Sequence, residues 1–181
     1  MRLATVIDAL DGTVGRTISA ISGIAAGIAL VAMSALVVVG TVSRSVFNIS
    51  VPLTIEYSEY LIPVVGLVGA AYALRHGAHV RADLALHRLP PTPRRWLIIA
   101  GYLVGLGYLI VLIVFTFTTA HSSIERGYTS IYPSATLYGY WQLVVPLGLL
   151  LFALQLAILI LKETKDLLEG KPPSSVTPAM D

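Results

Sequence analysis

Glu56 and Glu59 stand at the start of a long apolar stretch, three residues apart and therefore on one face of a helix. The positive end of that helix and interfacial water would both suit them. So would a cation, either Arg44 of this chain or a basic residue of a partner. A proton relay or ion site would need acids deeper in the apolar stretch, joined by polar groups from its neighbours. The neighbouring stretches carry no charge, and Gln155 is the main polar side chain within them. The same stretch ends in Arg75, His76, His79, Arg81 and Asp83. Histidines three apart can share a metal. Here no further ligand cluster completes a site, and the adjacent basic residues repel a cation. These residues read instead as a headgroup-level anchor or a grip on another subunit. The absence of cysteine excludes disulfides, thiolate metal sites, iron–sulfur clusters and a cysteine nucleophile. No nucleophile–base pair or phosphate loop is present, so neither an enzyme nor a cofactor is expected.

What must position these residues is a set of four apolar stretches, at about 17–42, 53–74, 96–119 and 138–161. Hydrophobic residues make up 56% of the 181 and charged residues only 12%, too apolar for a soluble domain of this size. Mean hydropathy is +0.80. Each stretch is long enough to cross a hydrocarbon core of ~30 Å. Backbone groups in lipid must pair internally, so the stretches are helices. The fold class is all-α integral membrane, with four transmembrane helices. The first stretch is too long for a signal-peptide core, and Asp8 and Asp11 interrupt a basic leader, so it reads as a retained anchor. Residues 1–16 form an N-terminal segment, 17–163 the membrane domain and 164–181 a tail, rich in Pro and Ser and disordered from 170.

Ten of the twelve basic residues fall on one side of this arrangement, and only Arg44 and Arg126 on the other. The positive-inside rule then makes both termini cytoplasmic. The basic excess is an orientation signal and not a nucleic-acid face. In the cytoplasmic loop, Leu84, Ala85, Leu86 and Leu89 among arginines suit an amphipathic segment at the membrane surface. Small residues form ridges for close helix packing: Gly23 with Gly27, Gly101 with Gly105, and Gly66, Gly69 and Ala70. They pack within the chain or dock another subunit. Pro63 and Pro146 are expected to kink their helices.

Several pieces occur in a telling order: Arg44, Phe47-Asn48, Glu56, Gly69-Ala70-Ala71, then Arg75-His76-Gly77-Ala78-His79-Val80-Arg81-Ala82-Asp83, then Leu89-Pro90. The ordered set, over roughly 17–163, resembles the small membrane subunit (DctQ type) of tripartite ATP-independent periplasmic (TRAP) transporters. The resemblance implies a non-catalytic subunit in the bacterial inner membrane. Its partners would be membrane lipid, a large membrane subunit carrying sodium and substrate sites, and a periplasmic binding protein that delivers an organic acid. This chain would scaffold the large subunit. Arg44 and Glu56 are then candidates for an outer polar clamp, within the chain or to the large subunit, Arg75, His79 and Asp83 for an inner one, and Asn48, Glu59 and Gly69 for further interface or structural positions. The alternative is a haem-binding anchor subunit of an oxidoreductase. Against that, His121 lies at the opposite end of its stretch from His76 and His79.

Overall fold

A computed structural model describes residues 2–76 and 91–170. The expected amphipathic segment at 84–89 and the tail from 171 lie outside the described residues, as do His79, Arg81 and Asp83. The chain begins with α1 (Arg2–Ala9), which passes through a π-helical segment, Leu10–Gly15, into α2 (Arg16–Phe47). Span 2 is α3 (Pro52–Pro63), a second π-helical segment, Val64–Val68, and α4 (Gly69–Arg75). Span 3 lies in α5 (Pro91–Glu125). Span 4 comprises the short α6 (Tyr138–Gln142) and α7 (Val144–Leu168). Four helical stretches are long and apolar enough to cross a membrane: Thr5–Phe47, Pro52–Arg75, Trp96–Glu125 and Tyr138–Leu168.

Local chemistry explains the irregularities. Pro63 has no N–H to donate, and the helix continues past it in the wider π register before recovering at Gly69. Pro146 sits in the first turn of α7, just after the break between α6 and α7 at Leu143. Asn48 closes α2 in the left-handed region (φ 53°), with the Ile49 N–H donating to the Ser43 carbonyl at 3.1 Å. Asn tolerates that conformation better than a branched residue does.

The four spans form a row and not a closed bundle. Span 1 packs along span 2, span 2 along span 4, and span 4 along span 3. Spans 1 and 3 lie at opposite ends of the row and share no packed face. The core sits between spans 2, 3 and 4, around Leu74, Leu109, Leu149, Ala153, Leu156 and Ile160. The end helices leave large apolar side chains such as Ile28, Val31, Val104 and Val111 exposed. That is the surface a lipid solvent requires, since no water-facing helix is apolar all round.

Glycines set the closest approaches. A Cβ on Gly148 would come within 2.9 Å of the Leu67 side chain and 3.3 Å of its backbone. A Cβ on Gly23 would strike the Tyr72 ring at 2.6 Å, and one on Gly69 would meet Ala26 at 3.2 Å. Gly148→Val should therefore wedge spans 2 and 4 apart and cost about 1–3 kcal/mol, readable as a lower melting temperature in detergent. An unchanged melting temperature would contradict the packing.

Candidate functional site

Two polar clusters hold the row together, one at each end. The basic end is built around Asp11. The π-helical segment presents this side chain toward spans 2 and 4, where Arg75 Nη1 donates to it at 2.7 Å and Lys162 Nζ at 3.1 Å. Gly15, one turn further, leaves the space that the Arg75 guanidinium occupies. Lys165 reaches Asp8 at 2.5 Å. One carboxylate thus faces two cations from two different helices, all only partly exposed, so the attraction is screened less than on an open surface. His76 closes the end of α4, its ring stacked on Tyr72 with centroids 4.0 Å apart.

The loop end is built around Glu56, which is fully buried. Tyr60, one turn along α3, donates its hydroxyl to Glu56 Oε1 at 2.8 Å, and the Ser134 hydroxyl donates to Oε2. Among the described residues no cation lies within ion-pair distance of this carboxylate; hydroxyl groups satisfy it instead. Ser134 belongs to the loop 126–137, which folds back on itself. Ser130 N–H donates to Thr136 at 2.8 Å and Tyr138 N–H to Tyr128 at 3.1 Å. Tyr132 donates its hydroxyl to Glu59 at 2.8 Å. The Glu59 carboxylate, joined by partial burial, raises the Tyr132 phenol above its ordinary value, so it remains a donor at any physiological pH. Beneath the loop, Tyr60 stacks on Trp141 (4.9 Å, 12°) and meets Tyr138 at 5.9 Å, while Tyr57 stands edge-on to Trp141 at 5.8 Å. These rings join span 2 to span 4.

Ala135 sits between Ser134 and Thr136 with φ 48°, a conformation that costs an alanine about 1–2 kcal/mol. Ala135 lies directly beside Ser134, the residue that reaches Glu56. Ala135→Gly should relieve the strain and raise stability by up to about 1 kcal/mol without disturbing the Glu56 contacts. A melting temperature at or below that of the natural chain would count against this account.

The residues singled out from the sequence divide between these places. Glu56, Glu59 and Arg75 are in the clusters. Asn48 caps α2. Arg44 does not reach Glu56; it lines a groove between spans 1 and 2 that also includes Glu59. Gly23 and Gly69 form helix contacts, and Gly105 approaches Leu156 at 3.8 Å. Gly27, Gly66 and Gly101 have open space where a Cβ would stand, and Ala70 is half-buried. Sequence reasoning passed over Asp11, Ser134, Gly15, Gly40, Gly139 and Gly148. The pair Asp8 and Asp11, three apart just before a charge-free helix, was the one signal available for the basic end.

The family model described as "Tripartite ATP-independent periplasmic transporters, DctQ component" matches residues 33–166, about three quarters of the chain. No curated protein and no solved structure matches it.

Proposed function

The chain belongs to the DctQ component family of TRAP transporters, and from that premise we propose that it is the static membrane scaffold of a sodium-coupled importer of an organic acid. As a DctQ component it is a non-enzymatic transporter subunit that works with a large membrane subunit and a periplasmic binding protein. In our reading the large subunit carries the substrate and sodium sites and moves, while this chain enlarges the part that stays still. One observation carries the scaffold role: the acids of this chain are spent within it, the buried carboxylate of Glu56 tying span 2 to the loop 126–137 and the cation-paired carboxylate of Asp11 tying the start of span 1 to spans 2 and 4. Held in that way, they lock the row of helices and are committed to rigidity. The clustering of basic residues at the end that carries both termini supports a cytoplasmic location for that end, with the loop 126–137 in the periplasm.

Reconstitution tests the scaffold reading. Proteoliposomes holding both membrane subunits, with the binding protein outside and an inward sodium gradient, should take up a labelled organic acid. Vesicles lacking this chain should not. Full uptake by the large subunit and binding protein alone would overturn the role. Orientation has its own test, because the chain has no cysteine to mask. Tyr128→Cys should react with an impermeant maleimide added outside intact spheroplasts, and Glu169→Cys only after lysis. The reverse pattern would invert the topology.

A further inference from the structure

Three spans enclose a small cavity at the basic end. It measures about 110 Å³ and is lined by Asp11, Leu74, Arg75, Gln155, Leu159 and Lys162. Gln155, Leu159 and Lys162 follow at spacings of four and three along α7, so they share one face of the helix. Seven residues of helix set Gln155 about 10 Å deeper into span 4 than Lys162. Arg75 and Lys162 are partly exposed, and Gln155 is buried. The cavity therefore leads from a charged mouth, past two leucines, to a single amide.

Two observations mark it as a binding site and not a packing fault. One is Gln155, whose Oε1 is buried with no hydrogen-bond partner among the described residues. Leaving such a group unsatisfied costs about 1–3 kcal/mol, and the apolar walls of Leu74 and Leu159 offer it nothing. The other is a surplus of donors. The Arg75 guanidinium carries five N–H groups and the Lys162 ammonium three. Asp11, the one carboxylate in the lining, takes a bond from each. Most of the remaining N–H groups bond nothing else among the described residues. Two positive charges thus stand against one negative charge.

What completes this lining is small, anionic and rich in acceptors. Water alone would satisfy the amide and leave the surplus charge. A basic side chain would add to it. A phosphate group offers several acceptor oxygens around one centre, and Arg and Lys are its usual ligands. The cavity also lies at the end where the basic residues of the chain gather, and such pockets between helices suit anionic headgroups.

We propose that the cavity is a phosphate site, in which Arg75 and Lys162 hold the phosphate at the mouth and Gln155 bonds its inner side, directly or through one water. The phosphate belongs to an anionic phospholipid or is a free phosphate ion. The site stands apart from the scaffold reading, because it needs no other subunit.

The test uses the full chain, stripped of lipid in mild detergent, with its melting temperature as the readout. Phosphatidylglycerol should raise that temperature saturably, and diacylglycerol, which has the same tails without the phosphate, should not. A saturable rise with inorganic phosphate at constant ionic strength, and none with phosphatidylglycerol, supports the site and assigns it to the free ion. Lys162→Gln removes the charge and keeps a donor for Asp11. It should raise the half-saturating concentration about tenfold. Gln155→Leu should melt no lower than the natural chain without ligand, since Oε1 bonds nothing within it, and should weaken binding about three- to tenfold. No saturable rise with either phosphate source overturns the proposal. So does an equal rise with diacylglycerol, or a half-saturating concentration that neither substitution moves.

Discussion

Glu56→Leu should abolish recovery of folded, monodisperse protein. The substitution removes the acceptor on which the hydroxyls of Tyr60 and Ser134 converge, in a position with no access to water. Deleting one partner of a buried polar network leaves the others unsatisfied, which costs more than the network itself contributes. Here the loss reaches two further contacts. The loop 126–137 loses its anchor on span 2, and the stack of Tyr60 on Trp141 loses the hydrogen bond that holds the Tyr60 ring. Glu56→Gln keeps an acceptor of similar shape, and hydroxyls can rotate to accept from its amide, so it should recover most of the folded yield. Size-exclusion profiles in detergent and protease susceptibility of the loop 126–137 read the difference. Wild-type behaviour of Glu56→Leu would show that the buried carboxylate holds nothing together.

The second large effect belongs to Asp11. Asp11→Lys places a third cation beside Arg75 and Lys162 and converts two attractions into repulsions. Loss of a partly buried pair costs about 1–3 kcal/mol, between the exposed and fully buried limits, and like-charge contact adds to it. The first turns of span 1 should swing away from spans 2 and 4. Accelerated exchange or proteolysis of residues 5–15 would report this. The reciprocal Arg75→Asp placed on Asp11→Lys should restore part of the loss, which a nonspecific defect in insertion would not allow. No rescue, or no loss with Asp11→Lys alone, would refute the clamp.

Much of the architecture was legible in the sequence because lipid imposes a simple rule. Apolar runs of the right length must be helices, so 17–42, 53–74, 96–119 and 138–161 fall within the observed spans. Their neighbours were not legible. A helix apolar on every side gives no sign of which face packs, so the row order had no signature in hydropathy. Glu56 and Arg75 were recognisable as isolated charges at the edges of apolar runs. Their partners were not, since Ser134 lies 78 residues from Glu56 and Asp11 lies 64 from Arg75. A serine in a loop is too common to single out. The glycine spacings were only partly informative. Gly23 packs while Gly27 faces open space, and the two glycines that lie against the backbone of another helix, Gly139 and Gly148, belong to no repeated spacing.

The row order also dictates how the chain must be made. Spans 1 and 2 leave the ribosome as neighbours and can pair as soon as both are in the bilayer. Span 3 follows with no partner yet synthesised, because the face it will use belongs to span 4. It must wait in lipid, held by its own hydrophobicity, until the last helix arrives and joins it to span 2. Span 4 is thus the keystone of biogenesis: a product that stops before Tyr138 would consist of a paired hairpin and a stray helix, with every cross-link between them still unmade.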